Sequence, residues 1–240
     1  MLRKRTFFVL GIIAVTLFLL AGICWTPLYS KYVAYRLTHA TGSGATQWVE
    51  RGVHHPSIEI RLRAIQVAMR PEVQHLEPIR VLLNDTAPEV RQAAILALGS
   101  ARELLSDDEL LYLLHDADAE VKRLSRTALR GRGLRETDVQ LGRLFASPQP
   151  ADRLQLLSLL HDDGELDVAT WLQRLSHDPC AAVRAAAVRA AGEQQVVTMQ
   201  ERLAEMAAAD PDLTVRPIAQ FHCQQLQRIR LQPVGGLMPR

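Results

Sequence analysis

Aromatic residues are scarce in this chain, at 5% of its 240 residues, and runs rich in β-branched and aromatic side chains are missing. Strands are built from such runs, so a fold made largely of sheet is excluded. Leucine and alanine dominate instead. With 48% hydrophobic residues, the chain is long and apolar enough to bury a substantial helical core.

A clear excess of charge is missing as well. Residues 1–30 hold three basic residues and no acidic one, which leaves 25 basic and 26 acidic residues in the remainder, a net charge of −1. Domains that bind duplex nucleic acid usually carry a positive excess. Nucleic-acid binding is therefore retained only as the second alternative function.

The usual signatures of catalysis and metal binding are also lacking. The three cysteines, Cys24, Cys180 and Cys223, are odd in number and form no pair with the spacing of metal ligands. The sequence has no glycine-rich phosphate loop and no recognisable pair of nucleophile and base. We therefore expect no catalytic residue, no metal site and no cofactor.

What the sequence does have is one basic position that returns every 30 to 32 residues: Arg61, Arg91, Lys122, Arg153, Arg184 and Arg216. Six residues before each base stand, in the same order, His55, Asp85, Asp116, Ser147, Asp178 and Asp210. A pattern D-x5-R with a period of about 31 residues is typical of stacked helical repeats. It predicts six pairs of helices.

Leucines at helical spacing indicate where the helices of each pair lie. First helices are predicted over residues 77–84, 107–115, 137–146, 167–177 and 199–209. Second helices are predicted to begin near residues 57, 88, 119, 151, 180 and 213. In these second helices a small or apolar residue follows three positions after the base, which favours close approach of neighbouring helices.

Two segments resemble the HEAT-repeat family, most closely its short bacterial form related to the bilin-lyase-type repeats: residues 84–99 (NDTAPEVRQAAILALG) and 177–187 (HDPCAAVRAAA). The resemblance covers residues 47–228. It implies an all-α fold, a right-handed α-solenoid of about six HEAT-like helical hairpins. The sequence departs from the family pattern at His55, Ser147 and Asp152, where we expect the least regular stacking.

The resemblance also implies a structural role for the recurring acids and bases. Each acid lies in the turn between helices and bonds to backbone amides or to the arginine of a neighbouring repeat, whose planar fork holds two acceptors. The alternative, a catalytic role, is less favoured. The ladder residues expected on this basis are Asp85, Arg91, Asp116, Lys122, Asp178, Arg184, Asp210 and Arg216.

Histidines and cysteines recur without forming a site. His115 and His177 lie two repeats apart, farther than one metal ion with bonds of about 2 Å can bridge. A helix C-terminus explains them more simply, because a partly cationic side chain interacts favourably with the helix dipole there. Cys180 and Cys223 are offset by about 16 Å along neighbouring helices, too far for a disulfide.

The amino terminus predicts a membrane anchor. Residues 7–25 are nineteen residues without a charge, about 28 Å as a helix, which matches the hydrocarbon core of a bilayer. An interfacial belt of aromatic residues follows: Trp25, Tyr29, Tyr32 and Tyr35. A cleaved signal peptide is the alternative. Three basic residues before the span favour a cytoplasmic N-terminus and an exported repeat domain.

The predicted organisation is therefore one transmembrane helix followed by the repeats. Residues 1–30 form the anchor or signal segment, and residues 31–46 a juxtamembrane linker, with a loop over residues 36–46. Residues 47–228 form the solenoid, and residues 229–240 a flexible C-terminal tail.

The feature that differs most from the repeat pattern is a group of arginines in the second helix of the third repeat. Arg123, Arg126 and Arg130 share one helix face at i, i+3 and i+7, and residues 119–143 carry seven basic and three acidic residues. The equivalent column in other repeats includes Ile95, and then Leu154 and Leu157 as an apolar step. A solvated charged face is one interpretation. A groove for an acidic protein partner is the other.

The function favoured by these observations is a membrane-anchored, non-catalytic scaffold that binds a protein partner on the concave face of the solenoid. The first alternative is a HEAT-like lyase or an accessory subunit of an enzyme. The partner, the oligomeric state and the biological process are not encoded in any motif of the sequence.

Overall fold

The computed structural model describes residues 28–162 and 167–231, and every regular element in these two ranges is helical. The predicted anchor, residues 7–25, lies outside the described residues. Within them, no helix combines the length and the hydrophobicity needed to cross a bilayer. The predicted C-terminal tail is also largely outside, although its first three residues belong to a helix that continues to Leu231.

The chain divides into two compact units, Met1–Leu134 and Arg135–Arg240. The described helices of the first unit are α1 (residues 28–39), α2 (Gly42–Val53), α3 (Ile58–Ala68), a 3₁₀ helix (Glu77–Asn84), α4 (Pro88–Leu98), α5 (Asp107–Leu113) and α6 (Ala119–Gly131). Those of the second unit are α7 (Glu136–Phe145), α8 (Pro150–Asp162), α9 (Val168–Leu175), α10 (Ala181–Glu193), a 3₁₀ turn (Val197–Met199), α11 (Gln200–Ala209) and α12 (Val215–Leu231).

Each unit is a stack of three helix pairs, the arrangement expected within an α-solenoid. In the first unit α2 packs on α3, the 3₁₀ helix on α4, and α5 on α6, while the second helices α3, α4 and α6 pack on one another in order. In the second unit the pairs are α7 with α8, α9 with α10, and α11 with α12, and α8, α10 and α12 stack in the same way. The predicted helix pairs are therefore confirmed within each unit.

Small side chains allow the second helices to approach closely. Three residues after the recurring base, Ala64, Ala94, Ala187 and Ala219 are fully buried. Ser125 occupies the same position in α6, and its hydroxyl donates to the carbonyl of Val121 at 2.9 Å, so its burial leaves no unpaired polar group. The repeat thus places its smallest residues where two helices meet.

The predicted linker is wrong in its secondary structure. Residues 28–39 are helical, and α2 begins at Gly42, so only residues 40 and 41 lie outside a helix in that stretch. Val33 and Leu37 are fully buried, and Leu37 lies beside Gly52 of α2. Apolar burial on one helix face outweighs the weak helix propensity of the threonines and glycines that suggested a loop.

Candidate functional site

Arginine and aspartate pair between successive repeats in a ladder. Within the described residues, the arginine of one repeat contacts the aspartate in the turn of the next at 2.6 to 2.7 Å: Arg61 with Asp85, Arg91 with Asp116, Arg153 with Asp178, and Arg184 with Asp210. Each pair spans 24 to 26 residues. The partners of each pair therefore come from two different repeats.

The six-residue spacing of the motif has its own cause. The Arg91 guanidinium donates to the carbonyl of Asp85 at 2.8 Å, and Arg184 donates to the carbonyl of Asp178 at 2.9 Å. Each ladder arginine therefore ties the turn of its own repeat to the carboxylate of the next. The Asp178 carboxylate also accepts from the backbone N–H of Cys180 at 2.7 Å, so the acid fixes its turn.

The same turn bond survives where the acid is replaced. His55 Nδ1 accepts from the backbone N–H of Ser57 at 3.1 Å, and Ser147 Oγ accepts from that of Gln149 at 3.1 Å. A serine cannot supply the charge for an ion pair, and the preceding base is Lys122 instead of arginine. The sequence thus departs from the Asp–Arg pattern on both sides of Leu134, where the first unit ends.

Hydrogen bonds within the ladder shift the pKa values of some of its residues. The hydrogen bond from Arg184 is the main cause that lowers the pKa of Asp210, and the same bond raises the pKa of Arg184. The hydrogen bond with Asp116 likewise raises the pKa of Arg91. An acid held ionised and a guanidinium that keeps its proton do not exchange protons near neutral pH. These hydrogen bonds stabilise the turns between the helices.

The recurring histidines and cysteines can be placed in the same way. His177 Nδ1 lies 2.9 Å from the carbonyl of Gln173 at the end of α9. Cys180 and Cys223 are free thiols, and burial raises the pKa of Cys223. In the described ranges no group of three histidine, cysteine, aspartate or glutamate side chains is arranged to hold a metal ion.

The predicted arginines all lie on the exposed side of α6. Arg123 is neutralised in part, because it pairs with Glu120 at 2.5 Å and this contact raises the pKa of Arg123. Arg126 forms no ion pair with the described residues of its unit. Arg132 belongs to the same basic stretch, residues 119–143, but its side chain is only 4% exposed and pairs with Asp107 at 2.7 Å.

The predicted apolar step is wrong as an exposed surface. Leu154 and Leu157 lie on α8 in the second unit and are half-buried, packed against the core of that unit. Ile95 of the same predicted column is also buried, whereas its neighbour Leu96 is 65% exposed. Adjacent residues on a helix are 100° apart, so an error of one position in the repeat alignment exchanges a core residue for a surface residue.

A groove between α4 and α6 is the surface feature that the sequence did not reveal. It has a volume of about 490 Å³ and combines apolar, small and basic side chains; it is lined by Ile95, Leu96, Gly99, Ser100, Arg102, Leu124, Thr127, Ala128, Gly131 and Arg132. The sequence analysis selected Ile95 in this helix and not its neighbour Leu96, which the structure leaves exposed at the groove.

One end of this groove is positively charged. The Nε–H of Arg132 donates to the carbonyl of Gly99, and its Nη1–H donates to the carboxylate of Asp107, each at 2.7 Å. The buried Nη2 of Arg132 has no acceptor among the described residues. Arg102 is half-exposed and donates to the carbonyl of Arg132 at 2.5 Å. Two guanidinium groups share the single carboxylate of Asp107, so a net positive charge remains at this end.

Part of the first unit is similar to a known family of repeats. Residues 46–130 match the family of HEAT repeats, and this stretch holds α3, the 3₁₀ helix, α4 and α5, together with the last eight residues of α2 and all but the last residue of α6. No curated protein is significantly similar in sequence to the chain. The second unit lies outside the matched stretch, yet its helix pairs carry the same arginine–aspartate geometry.

Proposed function

We propose that this protein is a non-catalytic interaction scaffold, a right-handed α-solenoid held at a membrane by residues 7–25. HEAT repeats generally mediate protein–protein interaction, and residues 46–130 are similar to them. The recurring charged residues pair with one another in the ladder and fix the turns. The surface available for a partner is therefore the side of the second helices, where the repeats differ from one another.

The groove between α4 and α6 is the observation that carries the proposal. Exposed Leu96 provides an apolar contact at its rim, and Arg102 and Arg132 provide positive charge at its end. Arg126 on the neighbouring face of α6 adds a further exposed cation. A partner segment with an acidic residue close to an apolar residue fits this chemistry, because the carboxylate meets the guanidinium groups while the apolar side chain covers Leu96.

The membrane placement in the proposal follows from the sequence alone. Residues 7–25 carry no charge and are preceded by Arg3, Lys4 and Arg5. On the positive-inside rule, these residues place the N-terminus in the cytoplasm and the repeats on the opposite side. In this arrangement the groove binds a partner outside the cytoplasm.

Site-specific photo-crosslinking in native membranes tests the groove. The full-length protein carries p-benzoylphenylalanine in place of Leu96, and the crosslinked partner peptides are sequenced by mass spectrometry. We expect one main partner, crosslinked at a segment in which an aspartate or glutamate lies near an apolar residue. Adducts spread over unrelated segments without acidic residues would contradict the proposal.

Charge reversal supplies the matched control. Arg126→Glu and Arg102→Glu should each reduce the crosslinking yield at least tenfold, since a close opposite charge becomes a like charge. Arg189→Glu alters an exposed arginine on a second helix of the other unit and should leave the yield unchanged. An equal loss in all three variants would show that overall charge, and not the groove, determines binding.

A further inference from the structure

Helix α1 presents an unusual concentration of exposed apolar side chains. Leu28, Tyr29, Tyr32 and Tyr35 are 64%, 46%, 47% and 60% exposed, although they lie within eight residues of one helix. Soluble surfaces rarely gather large apolar groups in this way. Since the opposite side of α1 is the one that buries Val33 and Leu37, the aromatic side is left facing outward.

Positive charge surrounds this aromatic face. The first acidic residue of the whole chain is Glu50, so no carboxylate in residues 1–49 opposes Lys31 and Arg36. The Arg36 guanidinium lies 5.1 Å from the ring centroid of Trp48 and 5.9 Å from that of Tyr32, and Arg51 lies 4.9 Å from Trp48. Cations stacked on aromatic rings form a mixed surface, apolar and basic together.

The face is held rigidly to the first helix pairs. Leu37 of α1 packs beside Gly52, Tyr29 stacks on His55 with ring centroids 6.0 Å apart, and Arg70 donates to the carbonyl of Thr38 at 3.2 Å. Whatever covers α1 therefore also fixes the orientation of the packed helices behind it.

We infer that the face formed by Leu28, Tyr29, Lys31, Tyr32, Tyr35, Arg36 and Arg51 binds the headgroup layer of an anionic membrane. Tyrosine is enriched at the headgroup level because its ring is apolar and its hydroxyl is polar. Each Lys or Arg near an anionic surface adds attraction to lipid phosphates. Lysine is depleted at protein–protein interfaces, so Lys31 on this face favours a lipid surface over a folded protein.

Sequence distance supports the same occupant. Leu28 follows Trp25, the end of the uncharged span, by three residues, so the chain between them extends at most about 11 Å. The inference rests on the proposed membrane anchor, and it adds the claim that α1 itself contacts the lipid. If residues 7–25 span a bilayer, α1 cannot lie far from its surface.

Lipid crosslinking tests this contact. The full-length protein is reconstituted into phosphatidylcholine vesicles with or without phosphatidylglycerol, with p-benzoylphenylalanine in place of Tyr35. The control carries the same group in place of Tyr112, a 58%-exposed tyrosine on α5 of the same unit. We expect lipid adducts at position 35, more of them with phosphatidylglycerol, and few at position 112. Equal yields at both positions, or adducts at position 35 only with a second copy of the chain, would overturn the inference.

Two further measurements separate the possible failures. Alkaline extraction of the vesicles reports the anchor by itself: protein released by alkali contradicts the proposed anchor, whereas retained protein without adducts at position 35 contradicts only the α1 contact.

Lys31→Gln and Arg51→Gln change exposed side chains. Each should lower the adduct yield about fivefold in phosphatidylglycerol vesicles, by the attraction one basic residue supplies, and leave it unchanged in phosphatidylcholine. Loss in both lipids would contradict an electrostatic contact.

Discussion

The two units contain the same ladder at different depths. In the first unit, the side chains of Arg61 and Asp85 are 11% and 7% exposed. Those of Arg91 and Asp116 are 13% and 11% exposed. In the second unit, the side chains of Arg153 and Asp178 are 9% and 2% exposed, and those of Arg184 and Asp210 are 8% and 2% exposed. The same contact is thus better buried in the second unit, mainly at the aspartate.

The ladder is repeated in both units, whereas the two proposed binding surfaces are not. The ladder sets the turn geometry in both units, so it carries no information about the partner. Both proposed surfaces, the groove between α4 and α6 and the aromatic–basic face of α1, belong to the first unit. Variants that affect the ladder therefore test stability, whereas variants at the two surfaces test binding. In the ladder variants, we expect the loss of stability to depend on the burial of the pair.

The largest expected effect is the loss of a buried pair. Asp178→Ala leaves the Arg153 guanidinium buried without its carboxylate and removes the acceptor of the Cys180 N–H. We expect a loss of about 3 to 5 kcal/mol in the free energy of unfolding. The equivalent Asp116→Ala in the first unit should cost about 2 kcal/mol, because its pair is better solvated. Urea unfolding, with hydrogen exchange to assign each transition to a unit, measures both.

Asp178→Asn is the control for shape. Its amide oxygen still accepts from the Cys180 N–H while the charge is lost, so its cost should lie between those of the wild type and Asp178→Ala. Equal losses for Asp178→Ala and Asp116→Ala would show that the difference in burial between the units has no energetic consequence.

Helix spacing in the second unit gives the next prediction. A Cβ atom at Gly192 of α10 would lie 2.0 Å from Nδ1 and 2.9 Å from Cβ of His222 on α12. His222 is itself buried, so Gly192→Ala should destabilise the second unit by about 1 to 3 kcal/mol, despite the better helix propensity of alanine. Thermal unfolding with hydrogen exchange measures the change and assigns it to a unit.

Truncation of the opposing side chain tests the cause. In the Gly192→Ala/His222→Ala double variant the clash is removed, so the double variant should lose less than the sum of the two single losses. Strict additivity would mean that the contact between Gly192 and His222 does not limit the approach of α10 and α12.

The fold could be predicted from the sequence where one local pattern recurs. The D-x5-R spacing predicted the starts of the second helices to within two residues, because each repeat presents the same turn and the same apolar stripe. The end of helix α1 escaped prediction because the Thr-Gly-Ser stretch that follows it, at the start of α2, is typical of a loop, while Leu37 of α1 is buried beside Gly52, a residue fifteen positions later.

The candidate site was predictable only in part, for a geometric reason. Arg123, Arg126 and Arg130 are on the exposed side of α6 as their spacing indicated. The burial of Arg132 and the half-burial of Leu154 and Leu157 depend on neighbouring helices, which no single-helix pattern contains. The groove arises where two helices lie side by side, so it has no motif of its own in either helix.

Acid titration of the last ladder pair in the second unit gives a smaller effect. The hydrogen bond from Arg184 holds the pKa of Asp210 below its ordinary value, so the folded state binds fewer protons than the unfolded chain. The stabilisation is complete above the unfolded pKa of about 4 and is lost as the pH falls through the folded pKa. The stability of the second unit should fall below pH 4, and less so in Asp210→Asn. Parallel pH curves for the two proteins would contradict this linkage.

The smallest expected effect concerns how two helices end. Both α6 and α10 close with the same pair of bonds: Leu134 N–H to Leu129 and Gly133 N–H to Arg130 in one, and Val196 N–H to Ala191 and Gln195 N–H to Gly192 in the other. The bonds require a left-handed residue, which is Gly133 at φ +93° in the first unit and Gln195 at φ +56° in the second.

Glycine adopts this conformation at no steric cost, whereas a residue with a Cβ is strained there. Gln195→Gly should therefore stabilise the second unit by about 0.5 to 1 kcal/mol, and Gly133→Ala should destabilise the first by about 1 kcal/mol. Opposite shifts in urea midpoint, each confined by hydrogen exchange to one unit, are the expected result. If Gln195→Gly destabilises its unit, the greater flexibility of glycine in the unfolded chain outweighs the strain relieved, and the second unit already tolerates its non-glycine turn.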